Sequence, residues 1–174
     1  IQIGHAGLIT DPICTGGPGA ALMNAALMLF GSTMLVRLQK MPFTGLSVAC
    51  LYMMAGFALL GKNVINSAPI VAGSFLYSLY KDEKFSKYIY LSLFGTCLSP
   101  MVSYFMLHTH VESRYVGMLL GGSVIGFVTP AIASYTVRIH QGYNLYNVGF
   151  AAGFVGLSVI SILKGFGMEF MTKT

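Results

Sequence analysis

The feature that most restricts this chain is where its charges are missing. Residues 12–36, 41–61, 63–80, 88–107, 115–137 and 139–163 contain no Asp, Glu, Lys or Arg, and the shortest of these runs is 18 residues long. A helix of about 20 apolar residues, rising about 1.5 Å per residue, crosses about 30 Å of hydrocarbon. The charges sit almost only between the runs: Arg37 and Lys40, Lys62, the stretch from Lys81 to Lys87, Glu112 and Arg114, Arg138, then Lys164. Only 9% of the residues are charged and 55% are apolar. A soluble domain carries roughly a quarter charged residues, and a disordered one still fewer apolar groups. The composition therefore argues for a membrane protein. A β-barrel would need strands that alternate in polarity, and Leu22 to Leu29 does not alternate.

The expected fold is an all-α, polytopic transmembrane bundle. Six segments are predicted over 18–36, 43–61, 64–80, 88–108, 115–136 and 146–163, within one transmembrane domain covering 1–174. Gly16-Gly17-Pro18-Gly19 places the first helix start near Gly19. The 64–80 segment is short and holds Asn66 and Pro69, which suits a half-helix or re-entrant segment. Pro100 and Pro130 are expected to kink their helices. The chain begins with Ile1 and no basic region precedes an apolar core, so a fragment or one repeat of a longer protein is expected.

If all six segments cross, the loops after the first, third and fifth share one side. That side holds Arg37, Lys40, Lys81, Lys84, Lys87 and Arg138, against Lys62, Arg114, Lys164 and Lys173 on the other. The excess favours cytoplasmic placement of the 81–87 loop. Tyr77, Tyr80, Tyr88 and Tyr90 would form an interfacial belt beside it. The pairs Gly117/Gly121, Gly122/Gly126 and Gly149/Gly153 would let helices approach closely.

Gly61-Lys62-Asn63-Val64-Ile65-Asn66 and Gly142-Tyr143-Asn144-Leu145-Tyr146-Asn147 share one pattern, glycine, any residue, Asn, two apolar or aromatic residues, Asn. Three segments lie between them, so the two boxes would face opposite sides, as in an inverted internal repeat. Asn is a favoured helix N-cap. It also offers both a donor and an acceptor to a polar solute where a broken helix lines a cavity. Asn63, Asn66, Asn144 and Asn147 are therefore the candidate pathway residues, with Arg138 and His140 near a mouth. No acidic residue lies within the spans, which argues against a carboxylate proton or sodium relay.

Other candidates carry less. His108-Thr109-His110-Val111-Glu112 could offer metal ligands on one face only if extended, and it reads as a solvated loop. Cys14, Cys50 and Cys97 are widely spaced and read as small packing residues. The glycines before Asn24 lack the Lys and Ser/Thr of a phosphate loop, so an irregular helix entry is expected, with Asn24 bonding a neighbour. No nucleophile, base and orienting residue stand together, and neither His108, His110 and Glu112 nor His5 and Asp11 make a known catalytic motif. No enzyme, cofactor, metal or nucleic acid is expected. The expected partners are the lipid bilayer and a small polar solute, with a second copy or the remainder of a longer chain as others.

Three stretches also carry a family resemblance: Gly16 to Asn24, Gly61 to Pro69, and Thr129-Pro130-Ala131 through His140 to Ala151. They resemble the Domain of Unknown Function 1576 family of bacterial multi-spanning membrane proteins, over nearly the whole chain. The resemblance implies an all-helical protein of the bacterial inner membrane and supplies no catalytic residues. The glycine-asparagine boxes are also faintly similar to urea-transporter-like channels, a likeness of fold alone. The leading functional expectation is a transporter or channel for a small polar solute. The alternatives are a non-catalytic membrane scaffold or partner subunit and, behind it, an intramembrane enzyme.

Overall fold

The computed structural model describes residues 12–108, 113–141 and 146–166. They form α1 (Pro12–Leu38), α2 (Gly45–Ala58), α3 (Val64–Tyr80), α4 (Ile89–Gly95), α5 (Ser99–His108), α6 (Arg114–His140) and α7 (Asn147–Gly165). A 3-10 turn at Thr96–Leu98 joins α4 to α5, so these two make one span. No strand occurs among the described residues. Four stretches are long and apolar enough to cross a membrane: Gly16–Leu38, Ile89–Met106, Arg114–His140 and Asn147–Gly165. The all-α bundle is as expected, and α3 begins and ends at its predicted bounds. Within α1, Gly17 takes φ 78, a conformation that favours glycine. The regular helix resumes at Pro18, where a missing N–H removes no helical bond.

Cross-helix contacts fix the directions. Ser47 Oγ lies 2.5 Å from the Tyr90 hydroxyl, and the Thr96 hydroxyl lies 3.5 Å from Met54 Sδ. Thus α2 runs parallel to α4–α5. Asn66 Nδ2 donates to Ser103 Oγ at 3.0 Å, Ser67 Oγ to Ser99 Oγ at 3.4 Å, and the Tyr77 and Tyr88 rings meet edge-on at 5.3 Å. Thus α3 runs antiparallel to α4–α5. Together α2 and α3 form a hairpin that enters and leaves at the end of the bundle carrying the 81–87 loop.

The hairpin is too short to reach the far end. At 14 and 17 residues, α2 and α3 are about 21 and 26 Å long. Asn24 Nδ2 donates to Ala58 O at 2.9 Å and Lys62 O at 2.7 Å, capping the end of α2. Asn24 lies eight residues, about 12 Å, inside the span that starts at Gly16. Ser103, level with Asn66, lies five residues, about 8 Å, before the end of α5. The tip of the hairpin therefore lies level with the interior of α1 and of α5, short of the start of the one and the end of the other.

The centre of the bundle is the crossing of α3 and α6. A Cβ on Gly126 would run into the Ile70 carbonyl, and one on Gly73 into the Ser123 carbonyl. A Cβ on Gly122 would lie 2.5 Å from Pro69 Cβ. Only glycine permits this separation. Pro130 has no N–H, so the Gly126 carbonyl loses its helical donor. Ser74 Oγ of α3 donates to that carbonyl at 2.9 Å. The same solution recurs at Pro100: the freed Thr96 carbonyl accepts from Ser99 Oγ. The expected distortion there is the 3-10 turn just before it, whereas α6 continues through Pro130.

Two apolar clusters flank the crossing. One comprises Met28, Val36, Cys50, Met54, Ala58, Ile89 and Leu93; the other includes Ile70, Val102, Met118, Ile125 and Val155. Leu22, Phe30, Leu120 and Phe154 point outward, as lipid-facing side chains do. Gly121 packs under the Phe105 ring and Gly122/Gly126 under α3, as close-approach glycines should. Gly153 faces open space among the described residues, so the Gly149/Gly153 pair does not pack a helix here. At the loop end, Lys87 Nζ pairs with Glu83 at 2.6 Å, and Tyr88 OH donates to the same carboxylate. These bonds hold the Glu83 carboxyl below its ordinary range, the Lys87 bond most.

Gly126→Leu should abolish the folded yield by forcing α3 off α6, while Gly153→Leu should leave it unchanged; size-exclusion profiles in detergent compare them. Ser74→Ala should cost about 1 kcal/mol in thermal unfolding, and the cost should shrink in a Pro130→Ala background, which restores the N–H to Gly126 O. In a chain lacking Cys14, Cys50 and Cys97, single cysteines at Lys40, Lys84 and Gln141 should label from one and the same side with an impermeant thiol reagent.

Candidate functional site

The tip of the hairpin begins at Gly61, whose φ of 97 reverses the chain. Asn63 then caps α3. Its Oδ1 accepts from the Asn66 N–H, and Asn66 Oδ1 accepts from the Asn63 N–H, each at 2.9 Å. Asn66 Nδ2 gives one hydrogen to Gly61 O at 3.3 Å and the other to Ser103 Oγ. Its Oδ1 also accepts from Ser67 Oγ at 3.4 Å. Both amide hydrogens of Asn66 are committed, so this side chain ties the tip together.

From Asn66 a file of polar groups continues inward. Ser103 touches Asn66, Asn66 touches Ser67, and Ser67 touches Ser99. The Ser99 hydroxyl donates to the Thr96 carbonyl, and the Thr96 hydroxyl donates to the Leu93 carbonyl and lies 3.5 Å from Met54 Sδ. Met54 Sδ lies 2.8 Å from Lys62 Nζ. On the α4–α5 span these hydroxyls recur at 92, 96, 99 and 103, the spacing of one helix face. Ser92 Oγ, the member of that face nearest the 81–87 loop, is buried with no hydrogen-bond partner among the described residues.

Lys62 overturns its expected place. It stands in the sequence as a loop charge, yet it is 2% exposed. Its side chain folds back along α2, so the ammonium lies beside Met54 and 5.6 Å from the centroid of the Phe57 ring. Thr96, which shares Met54 Sδ, lies seven residues into the span Ile89–Met106, close to its middle. The reason is mechanical. The tip stops short of the bundle end, and the free valences of the α2 end and of the turn are met by Asn24, Asn63 and Asn66, leaving the lysine stem to pack inward.

The second box works differently. Asn147 stands at the first turn of α7, and its Oδ1 accepts from the Thr136 hydroxyl at 2.6 Å and faces His140 Nε2 at 2.8 Å. Its Nδ2 donates to Ala133 O at 2.9 Å. The His140 ring meets the Phe150 ring edge-on at 6.2 Å. Asn147 thus staples α7 to the last turns of α6. Arg138 is exposed and turns away from this cluster. Asn144 lies outside the described residues, as do His5, Asp11 and the His110 and Glu112 part of the candidate metal motif. Among the described residues no three His, Cys, Asp or Glu side chains gather as a metal would need.

The structure brings Asn63 and Asn66 together at one end of the bundle and keeps both apart from Asn147, His140 and Arg138, toward the other. The hydroxyl file and the buried Lys62 are the additions. The signal for the first was the helical spacing of Ser92, Thr96, Ser99 and Ser103. The signal for the second was a single charge in the middle of an otherwise uncharged stretch from 41 to 80.

Neither the curated proteins nor the solved structures contain a match to this chain. A family model described as "Protein of unknown function (DUF1576)" matches residues 1–165, nearly the whole length. With its apolar spans and its match over that length, the chain belongs to the DUF1576 family of proteins of unknown function.

Proposed function

We propose that this protein passes a small polar solute across a membrane, as a transporter or channel, and that it does so in the cytoplasmic membrane of a bacterium. One observation carries the reading: the file from Ser103 through Asn66, Ser67, Ser99 and Thr96 to Lys62 leads from near one end of the α4–α5 span to its middle. Hydroxyls alone serve as glue between membrane helices. An amine buried at the same depth weakens such packing, because an ionisable group in hydrocarbon is costly and is kept where it meets a solute, an ion or water. A hairpin that breaks at membrane depth supports the same reading, since irregular backbone there is tolerated where protein or a wet cavity surrounds it.

The pathway residues divide by role. Asn63 and Asn66 hold the tip, and Asn147 with His140 holds the α6–α7 end. The hydroxyl hydrogens of Ser67 and Ser103 are the ones loosely held and open to a solute, while Ser99 and Thr96 donate to the Thr96 and Leu93 carbonyls and offer a solute their lone pairs. With Lys62 removed from the loop charges, the end with the 81–87 loop keeps its six basic residues against Arg114, Lys164 and Lys173. That excess supports a cytoplasmic position for the 81–87 loop. An inverted relation between the two box-bearing halves would give the path its second, symmetry-related branch.

The test is stopped-flow shrinkage and reswelling of liposomes holding the purified protein, shocked with urea, glycerol or sodium formate. Entry of at least one solute should exceed that of empty liposomes. Thr96→Val keeps the shape and removes one hydroxyl, and should slow that entry about tenfold, the effect of one lost hydrogen bond of roughly 1.4 kcal/mol. Entry no faster than through empty liposomes would instead favour a scaffold or partner subunit.

A further inference from the structure

We infer that Lys62 is the recognition group of a site for a small monovalent anion at the middle of the membrane; this rests on the solute-path reading above and names the class of solute. Four observations converge on it. First, the ammonium is buried and aimed inward. A lysine near a membrane end ordinarily runs its stem toward water. Lys62 does the reverse, reaching from the tip back to Met54, eight residues earlier on α2.

Second, its protein partners are weak. It has three N–H donors. They meet the Met54 thioether at 2.8 Å and the Phe57 ring at 5.6 Å. The titratable groups near enough to act on its charge are the thiols of Cys97 and Cys50, and no carboxylate is among them. Among the described residues, the one Lys–carboxylate pair is Lys87–Glu83, on the loop at the other end of α3.

Third, the described residues supply no counter-charge nearby, since their acids are Asp82 and Glu83, on the loop at the other end of α3. No Asp or Glu occurs between Asp11 and Asp82. A counter-ion from outside the chain completes the site. Fourth, the groups along the approach are hydroxyls: Ser103 and Ser67 can donate to an anion as it enters, and Ser99 and Thr96 can do so by releasing the Thr96 and Leu93 carbonyls. A cation would be repelled by the ammonium and would find no carboxylate. A neutral solute would be served by the hydroxyls alone and would leave the ammonium uncompensated. Met54 beside the ammonium, and Thr96 and Cys50 nearby, are all buried, which suits a small ligand such as chloride, nitrate or formate.

The experiment uses the full chain, purified in detergent and in liposomes. The unfolding midpoint is measured as sodium gluconate, too bulky for the site, is replaced at constant ionic strength by chloride, nitrate or formate. A ligand bound only by the folded state raises the midpoint. The wild type should respond to at least one of the three, and Lys62→Met, a neutral side chain of similar length, should not. Lys62→Gln is the second variant if the methionine chain folds poorly. In liposomes, efflux of the responding anion should fall at least tenfold in Lys62→Met, while urea and glycerol entry persists. A wild type indifferent to all three anions, or a Lys62→Met chain that responds and conducts as the wild type does, overturns the anion site. Neutral-solute entry with no anion response overturns the anion site and leaves the solute path standing. A Lys62-dependent midpoint shift with no solute entry of any kind supports the anion site and removes the path.

Discussion

The Ile70 carbonyl occupies the place where a side chain on Gly126 would have to be. That one contact sets the separation of α3 from α6, and the rest of the bundle is arranged around it. With no water to exclude between helices in lipid, close packing and hydrogen bonds supply the attraction. Gly73 and Gly122 extend the contact over more than one turn, so the short α3 is held to a long spanning helix along its length. Once α3 is held there, α2 must meet it through a turn, and the short lengths of the two helices leave that turn short of the bundle end.

A turn at that depth exposes backbone groups that lipid cannot satisfy. The chain answers with side-chain amides. Asn24 takes the carbonyls of Ala58 and Lys62, and the reciprocal Asn63–Asn66 cap takes the first amides of α3. The two prolines pose the same problem within helices, and hydroxyls answer it. Ser74 replaces the donor missing at Pro130, from the neighbouring helix, and Ser99 replaces the one missing at Pro100, from its own. The prolines therefore cost little helix while allowing neighbouring serines to bind across the bundle. Asn24, Asn66, Ser74 and Ser99 each serve as structural donors, which separates them from Ser67 and Ser103, whose hydrogens are not committed to the backbone.

The spans were readable because charge and hydropathy report the solvent, and lipid is a demanding one. The capping role of Asn63 and Asn66 was readable too, since the three-residue spacing is that of a reciprocal cap. The family resemblance agreed with the full-length match. The 64–80 segment was readable as short, yet its central position was not, because that depends on glycines of α6 more than forty residues away. Lys62 was misread for a physical reason: charge counting assigns a lysine between two apolar runs to water, and nothing local shows that the turn holding it stops short of water. The hydroxyls at 92, 96, 99 and 103 were passed over because Ser and Thr weigh almost nothing on a hydropathy scale, and their common face emerges only once the span is known to be one helix interrupted by a single 3-10 turn.

The two boxes show how far a shared motif determines a shared role. The spacing that lets Asn66 cap α3 places Asn147 at the first turn of α7 as well, but there the amide reaches across to Thr136, Ala133 and His140. The difference lies in the helix that precedes each box. Before the first, α2 ends early and a second helix, α1, supplies Asn24 to close it, so Asn66 is left to organise its own turn. Before the second, α6 runs a full 27 residues and presents Thr136 and His140 at its own end, within reach of the next helix. Helix length thus decides whether the box closes a turn within the membrane or staples two spans at its edge. In the first case it also decides where a neighbouring lysine must go: with the turn below the surface and its polar valences filled by asparagines, the four methylenes of Lys62 carry the charge to the middle of the bundle and not out of it.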